Sequence, residues 1–248
     1  LGLLRPTAGS ARVLGFDIVR DSVAIRSRVG YLPGGIVLYD WMSGGSLLDY
    51  FARLSGRPAV RRRDLCERLE LSEQTLRRPI RDYSRGMRQK IGIIQALQHD
   101  PELAILDEPS EGLDPLMQHA FYDILATLRR EGRTVFFSSH VLSEVERVCD
   151  RVAIVRGGCL AAVSRIADLM ARRRRQVTLR VRGTPPALTG VSGVSAITTR
   201  DDSIVCTLEG DIAPFLEAIR PATIDDLTIE PARLEDAFFE IYQGDAPR

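Results

Sequence analysis

The chain has 248 residues, 44% of them hydrophobic and 27% charged, an ordinary globular composition with enough length for one large domain or a medium and a small one. Its 34 basic and 33 acidic side chains nearly balance, so no overall charge favours nucleic acid or an anionic membrane surface. The four cysteines form no Cys-x-x-Cys pair and no apolar run is long enough to span a membrane, which argues against a cysteine metal site, a disulfide framework and a transmembrane segment.

The first third of the chain predicts short strands followed by helices. Residues 11–14 and 29–32 have the composition of short strands, and a helical turn is predicted between them at 22–27. A glycine-rich loop follows, and apolar residues at helical spacing then predict helices over 47–54 and 60–69. The stretch after the loop is therefore expected to be helical.

A further helix is predicted just before the middle of the chain. Apolar residues recur at three- and four-residue steps from Met87 to Leu97, and the helix should end before Asp100. Ser84 is a good N-cap for this helix, and Gly86 allows close backbone approach. The helix start can therefore offer amide hydrogens and the positive end of its dipole to a phosphate.

The most informative stretch is an apolar run that ends in two acidic residues. Residues 103–106 predict a buried strand of a parallel sheet, and Asp107, Glu108 and Pro109 follow directly. Burying unpaired charge is costly, so the two carboxylates are expected at the mouth of a site, where they would hold a cation or a water. The pattern is also compatible with a strand that runs into an acidic surface turn.

Strands and helices continue to alternate after this point. Asp114 can cap a helix, and residues 134–138 form a β-rich run that ends just before His140. This alternation implies a parallel sheet, and such folds bind ligands at the C-terminal ends of their strands. Asp107, Glu108 and His140 all occupy that kind of position.

The last third of the chain predicts a hairpin and a small appendage. Residues 151–155 and 159–163 flank an Arg-Gly-Gly turn and predict a hairpin. Four consecutive arginines at 172–175 are compatible with a patch for nucleic acid or lipid headgroups, but a run without interleaved aromatic residues favours a solvated helix end or linker. Residues 176–248 are expected to form a small α+β appendage, and no catalytic constellation is visible there.

The order of these features resembles the nucleotide-binding subunit of an ABC transporter, in particular exporters whose signature sequence reads Tyr-Ser-x-Gly-Met. A capped helix start is followed by a strand ending in Asp-Glu, a Gly-Leu-Asp-Pro turn and a second strand ending in Ser-Ser-His. The matching positions are Ser84, Arg85, Gly86 and Met87 in the signature, Asp107 and Glu108 at the end of Walker B, Asp114 in the D-loop, and His140 as the switch histidine.

The resemblance implies an α/β fold of the P-loop NTPase type, incomplete at its N-terminus. An ABC nucleotide-binding domain would occupy residues 1–165, with a helical subdomain at about 42–98. A C-terminal accessory or regulatory domain would occupy residues 176–248. The Leu-Glu-Asp-Ala-Phe sequence at 234–238 is similar to a pattern that ends such extensions in the family.

By the same resemblance, the expected cofactors are ATP and Mg²⁺. Asp107 would hold the metal ion, through water, and Glu108 would polarise the water that attacks the γ-phosphate. His140 would contact the γ-phosphate and sense its loss. His99 and His119 have no such context and are expected to be structural or exposed.

The resemblance also implies two protein partners. In the family, two ATPase subunits, identical or different, dimerise head to tail, so residues 84–87 and Asp114 would bind ATP held by the other subunit. A separate transmembrane permease would hold the pair at the cytoplasmic face of the cell membrane, with residues 34–49 near its coupling helix. Nucleic acid is not an expected partner.

Two departures from the family's pattern bear on nucleotide binding. The Gly-x-x-x-x-Gly-Lys-Ser/Thr loop (Walker A) is absent, and residues 1–9 are similar to the sequence that follows that loop's helix, so we expect a chain truncated after this loop. Gly34 stands where the family commonly has a glutamine, and glycine cannot supply a side-chain amide.

Two functions therefore remain open. The leading hypothesis is a subunit of an ABC exporter that, in its complete form, binds and hydrolyses ATP to drive transport through the permease. The alternative is a catalytically inactive interaction module, which would dock to an intact ABC subunit and present Ser84 and Gly86 to the nucleotide of that subunit.

Overall fold

The computed structural model describes residues 1–2, 4–171, 174–200 and 203–230. The chain divides into two compact units, Leu1–His140 and Val141–Arg248. None of the helices that the structure describes combines the length and the apolar character needed to cross a membrane. The acidic strand end and His140 both belong to the first unit.

The first unit alternates strands and helices, as the sequence predicts. In chain order its elements are β1 (Arg12–Val13), β2 (Phe16–Asp17), α1 (Ser22–Arg26), β3 (Val29–Leu32), α2 (Gly44–Ser55), α3 (Arg62–Arg68), α4 (Glu73–Arg77), a 3₁₀ turn (Ile80–Asp82), α5 (Arg85–Leu97), β4 (Leu103–Asp107), α6 (Pro115–Arg130) and β5 (Thr134–Ser138). The turn between β1 and β2 places Leu14 and Gly15 at φ values of 53° and 82°, the left-handed conformation that suits a tight hairpin. The short elements β2 and α4 were not predicted.

A parallel sheet of three strands, in the order β3-β4-β5, positions the acidic residues. The central strand β4 pairs Leu106 with Leu32 on one side and Asp107 with Ser138 on the other. Ala104 and Leu106 are buried, which confirms the prediction of a buried apolar strand. Because parallel strands end at one edge of a sheet, the polar residues that follow them are brought together there.

Helix α5 packs closely along β3 because two glycines remove side chains from the contact. A Cβ on Gly30 of β3 would lie 2.0 Å from the carbonyl oxygen of Ala96, a distance at which the backbone itself must move. A Cβ on Gly92 of α5 would lie 2.7 Å from a methyl carbon of Leu32. This close contact fixes α5 against the sheet and so determines where the start of α5 lies.

The second unit contains a hairpin and an antiparallel sheet. Its elements are α7 (Leu142–Val148), β6 (Arg151–Arg156), β7 (Cys159–Arg165), α8 (Ile166–Ala171), β8 (Arg174–Arg182), β9 (Val194–Arg200), β10 (Ser203–Glu209), α9 (Ala213–Ile219) and β11 (Thr223–Glu230). Strands β6 and β7 form the predicted hairpin. The sheet has the order β11-β8-β10-β9, and α9 packs against it through Phe215 and Ile219, which share an apolar core with Val177, Leu179 and Leu208.

The arginine tract differs from the prediction. Helix α8 ends at Ala171, and Arg174 and Arg175 already belong to β8, so the end of the tract is a strand rather than a solvated helix end or linker. The strands that pair with β8 come from much later in the chain, and a local charge pattern does not reveal such pairing. Residues 172–173 and the 234–238 sequence lie outside the described residues.

The contact at Gly30 predicts a loss of stability in the Gly30→Ala variant. The added methyl group would overlap the carbonyl oxygen of Ala96, so we expect the free energy of unfolding to fall by about 1–3 kcal/mol, as in other overpacked sites. Urea denaturation measures this change. Gly45→Ala on α2 is the control, because the nearest atom to its Cβ is 3.5 Å away and the variant should not destabilise the chain. Equal midpoints for Gly30→Ala and the parent would contradict the packing described here.

Candidate functional site

Asp107 is the last residue of β4, and both of its carboxylate oxygens accept hydrogen bonds. Ser138 Oγ donates to Oδ1 at 2.5 Å, and the backbone N–H of Gly34 donates to Oδ2 at 3.2 Å. Ser138 ends β5 and Gly34 follows β3, so all three parallel strands contribute to this contact. Each carboxylate oxygen has two acceptor positions, and Asp107 is an exposed residue, so a cation or a water can still bind.

Glu108 follows in a left-handed backbone conformation, with φ at 47°. A non-glycine residue in this region costs about 1–3 kcal/mol, and such residues cluster at functional sites. Two side chains hold the turn: Ser138 Oγ accepts a hydrogen bond from the N–H of Glu108 at 3.1 Å, and Gln89 Nε2 donates to the carbonyl oxygen of Pro109 at 2.9 Å. The unusual backbone of Glu108 is therefore supported on both sides.

His140 contacts the carboxylate of Glu108. Its Nδ1 atom lies 2.7 Å from Glu108 Oε2, and because an ionised carboxylate only accepts hydrogen bonds, Nδ1 carries the hydrogen. The side chains of His140 and Glu108 are 72% and 30% exposed, so the pair is open to solvent. The structure thus gathers Asp107, Glu108 and His140, which the sequence singles out separately, at one edge of the sheet.

Two other predicted binding residues act as helix caps. Ser84 Oγ accepts a hydrogen bond from the N–H of Met87 at 3.2 Å, and Asp114 Oδ1 accepts one from the N–H of Met117 at 3.0 Å. The two caps begin α5 and α6, as the sequence predicts, and each contributes about 1 kcal/mol. Capping by itself accounts for the choice of these two residue types, so their nucleotide-binding roles stay predictions.

The start of α5 also contacts the loop that precedes α6. A Cβ on Gly86 would lie 2.9 Å from the carbonyl oxygen of Gly112, so the glycine permits a close backbone approach within the chain. Arg85 forms an ion pair with Glu111 of the same loop. These contacts join the predicted signature residues to the loop that leaves the acidic strand end.

Ser138 and Gln89 were not singled out by the sequence, although both belong to the site. Ser138 is the residue of β5 that lies opposite Asp107. The sequence indicated only that a strand ends at residue 138, which could have pointed to this serine. Gln89 is only 8% exposed, and its signal was a polar residue on an otherwise apolar face of α5. The main-chain contact of Gly34 with Asp107 has no signature in the sequence.

The remaining histidines agree with their expected roles. His99 is buried just beyond α5, where burial lowers the pKa of its imidazole ring. His119 is exposed on α6, and its ring lies 6.5 Å from the ring of Tyr122. Neither of them is at the edge of the sheet where the acidic residues lie.

The donor atoms at this edge fit a magnesium ion that is shared with phosphate. The described residues contain no group of three or more His, Cys, Asp or Glu side chains that could hold a metal on their own. Mg²⁺ usually takes one or two carboxylates together with phosphate oxygens and water, and the exposed carboxylate of Asp107 suits that mode. By contrast, the 248 residues contain a single lysine, Lys90 in α5, and no Gly-Lys-Ser/Thr sequence that would bind the phosphates.

Comparisons with known proteins identify the fold. Residues 19–146, just over half of the chain, match a family described as "AAA domain, putative AbiEii toxin, Type IV TA system". A solved structure titled "Structure of ATP binding subunit of ABC transporter" is similar with a TM-score of 0.63 and 29% identity, over 68% of this chain and 71% of that one. The fold is therefore the predicted α/β fold of an ABC nucleotide-binding domain.

Relatives of known name make the assignment more specific. The chain is 31% identical to the daunorubicin resistance ATP-binding protein DrrA3 of Streptomyces coeruleorubidus, over 98% of this chain and 81% of that protein. It is 40% identical to the ABC transporter ATP-binding protein NatA of Bacillus subtilis, over 63% of this chain and 65% of that protein. A third relative, named an uncharacterized ABC transporter ATP-binding protein of Synechocystis, is 38% identical over 68% of this chain, and the chain spans only 49% of that protein's length. The chain belongs to the family of ABC transporter ATP-binding proteins.

The contact of Gln89 with the turn predicts a loss of stability in the Gln89→Leu variant. The leucine cannot donate a hydrogen bond, so the carbonyl oxygen of Pro109 would lose its buried donor, at a cost of about 1–3 kcal/mol in the free energy of unfolding. Urea denaturation measures the change. Gln74→Leu, at an exposed position of α4, is the matched control and should change the free energy by less than about 0.5 kcal/mol. A stability loss no larger than that of the control would contradict the supporting role of Gln89.

Proposed function

We propose that the chain is the ATP-binding and ATP-hydrolysing subunit of an ABC exporter, which drives transport through a separate transmembrane partner. One observation supports this above all: His140 Nδ1 holds the carboxylate of Glu108 at 2.7 Å, next to the exposed carboxylate of Asp107. Two adjacent carboxylates at the end of a parallel strand provide one group for a metal ion and one for a water. This is the pair of functions that hydrolysis of a phosphoanhydride requires.

Asp107 is the proposed ligand of Mg²⁺, directly or through water. Asp107 would hold the ion, which would supply positive charge against the negative charge that develops on the phosphate. The hydroxyl of Ser138 and the N–H of Gly34 orient the two oxygens of Asp107. Neither of these donors is charged, so neither forms an ion pair with Asp107 that would compete with the cation.

Glu108 is the proposed general base, which accepts a proton from the attacking water. A positioned base of this kind commonly accelerates a reaction by about 10²- to 10⁴-fold. The Nδ1–H group of His140 fixes the orientation of the carboxylate, and the exposed remainder of the ring can approach the γ-phosphate. His140 would therefore respond to the presence of that phosphate.

The signature residues would serve the nucleotide of a second ATPase subunit, identical or different. Ser84 and Arg85 are exposed at the start of α5, a helix of 13 residues whose first amides and dipole favour an anion. Gly86 and Met87 follow Arg85 directly in the sequence. Asp114 caps α6, and Gly86 contacts the loop before α6 at Gly112. In a head-to-tail dimer each subunit would then complete the site of the other, as the resemblance implies.

An apolar surface on the first unit supports the proposed permease contact. A cavity of about 500 Å³ is lined in part by Val37 and by Phe51 and Leu54 of α2. Val37 and Trp41 are apolar side chains that are 91% and 76% exposed. Exposed apolar surface beside a groove is typical of a protein contact. Val37 and Trp41 also belong to residues 34–49, the segment that the resemblance assigns to the permease contact. Such a contact would hold the chain at the cytoplasmic face of the membrane.

The names of the relatives support the exporter class. DrrA3 is named for daunorubicin resistance, and a relative from Enterococcus faecalis that is 35% identical is named a bacitracin transport ATP-binding protein. Both names fit the movement of a drug or peptide across a membrane. We propose the same general class of activity for this chain without assigning a substrate.

A second candidate function is an inactive ABC subunit that presents its signature residues to a partner. It is favoured by one observation: the 248 residues contain no Gly-Lys-Ser/Thr sequence, while Ser84 and Arg85 are exposed. Titration of the protein with MgATP separates the two candidates. Tight binding contradicts the inactive subunit, whereas no binding to the protein made from its complete reading frame contradicts the ATPase.

The role of Glu108 predicts the behaviour of the Glu108→Gln variant. In protein expressed from the complete reading frame, we expect the rate of ATP hydrolysis to fall by at least about 10²-fold, because an amide cannot accept the proton. The affinity for ATP should stay within about threefold of the parent, since the amide has nearly the same shape and general-base loss acts on the chemical step. Glu73→Gln on the exposed face of α4 is the isosteric control and should keep the parent rate. Unchanged hydrolysis in Glu108→Gln would refute the base role.

The proposed permease surface predicts that Trp41→Ala weakens association with the transmembrane permease partner. Loss of a large aromatic anchor at an interface costs about 2 kcal/mol, or roughly 30-fold in affinity. Association is measured by titration of the purified components in detergent. Leu160→Ala, another exposed apolar position on β7, should leave the affinity unchanged. The surface assignment is wrong if both variants bind like the parent.

A further inference from the structure

Ser138 contacts both acidic residues of the site through one oxygen atom. Its hydroxyl donates to Asp107 Oδ1 at 2.5 Å and accepts from the backbone N–H of Glu108 at 3.1 Å. A serine hydroxyl has one hydrogen and two lone pairs, so it can make both bonds at once. The position of Ser138 follows from the sheet, because it pairs directly with Asp107 in the register of β4 and β5.

Asp107 is held from its other side by Gly34. The N–H of Gly34 lies 3.2 Å from Asp107 Oδ2, and a Cβ at residue 34 would come within 2.6 Å of the same oxygen. Any side chain at this position would therefore displace the loop or the carboxylate. In this chain the main-chain N–H of Gly34 contacts one oxygen of Asp107, and the hydroxyl of Ser138 contacts the other.

Glu108 needs support of its own. Its backbone has a φ of 47°, which a glutamate rarely adopts without external contacts. The bond from its N–H to Ser138 is one of the contacts that hold this turn, together with the bond from Gln89 to Pro109 and the bond from the N–H of Glu111 to the carbonyl oxygen of Glu108. Loss of the Ser138 hydroxyl would thus shift the main chain of Glu108 and, with it, the carboxylate of Glu108.

We propose that Ser138 is a positioning residue for ATP hydrolysis, which fixes the metal-binding carboxylate of Asp107 and the backbone of Glu108 relative to each other. The inference rests on the proposed ATPase function and adds to it a residue that neither the sequence nor the comparisons assign. Ser138 does not touch substrate in this role. Groups that hydrogen-bond to a metal-binding carboxylate commonly change metal affinity or activity by about 10- to 100-fold when they are removed.

The test compares Ser138→Ala, Ser138→Thr and the parent, expressed from the complete reading frame with ATP and Mn²⁺ in place of Mg²⁺. Free Mn²⁺ is measured by its electron paramagnetic resonance signal. This signal gives the metal affinity independently of the rate of ATP hydrolysis. We expect Ser138→Ala to bind Mn²⁺ about tenfold more weakly in the nucleotide complex, and to lower kcat by about 10- to 100-fold with little change in KM for ATP. Ser138→Thr keeps the hydroxyl and should restore both quantities.

Thr134→Ala is the matched control, since it removes a hydroxyl from an exposed position at the opposite end of the same strand. It should bind Mn²⁺ like the parent. Parent-like Mn²⁺ affinity in Ser138→Ala overturns the positioning role, and so does a loss that Ser138→Thr fails to restore. If the parent itself neither binds nor hydrolyses nucleotide, the proposed ATPase function has failed, whereas an active parent with an unaffected Ser138→Ala variant rejects only this inference.

Discussion

The pairing of β4 with β5 is the constraint on which the candidate site depends. In this register Asp107 lies opposite Ser138, and His140 follows two residues later. A slip by one residue would turn every side chain of the strand to the other face of the sheet and would place Phe137 against Asp107. The hydroxyl that joins Asp107 to the backbone of Glu108 would then be lost, and the strained turn at Glu108 would lose one of its supporting hydrogen bonds.

A second constraint comes from the packing of α5 on the sheet. Gly30 and Gly92 let the helix approach β3 so closely that the helix position has little freedom. From that position Gln89 reaches the turn after the acidic residues, and Gly86 meets the loop at Gly112. The same helix therefore supports the acidic residues with its buried face and presents Ser84 at its exposed start. Helix α5 therefore links the acidic residues at the end of β4 to the proposed signature residues at its own start.

Much of this architecture was predictable from local patterns, and the unpredicted parts depend on contacts between distant residues. The apolar run before Asp107, the cap at Ser84 and the cap at Asp114 each have a short sequence signal, and each was confirmed. Ser138 was predicted only as a strand end, because the sequence of a single strand does not determine its register with a neighbouring strand. The amide of Gly34 was missed for a simpler reason, since every residue except proline carries the same donor. The prediction of a solvated helix end or linker missed the strand at Arg174 and Arg175, because their pairing partners lie far along the chain.

The proposed binding of a metal ion at this edge of the sheet can be checked by locating that ion. Crystals of the protein from its complete reading frame, grown with ATP and Mn²⁺, would locate the metal by anomalous scattering. We expect a manganese peak at the carboxylate of Asp107, at about 2 Å if Asp107 is a direct ligand or about 4–5 Å if one water intervenes. Bound nucleotide with its manganese ion remote from Asp107 would rule out this metal site.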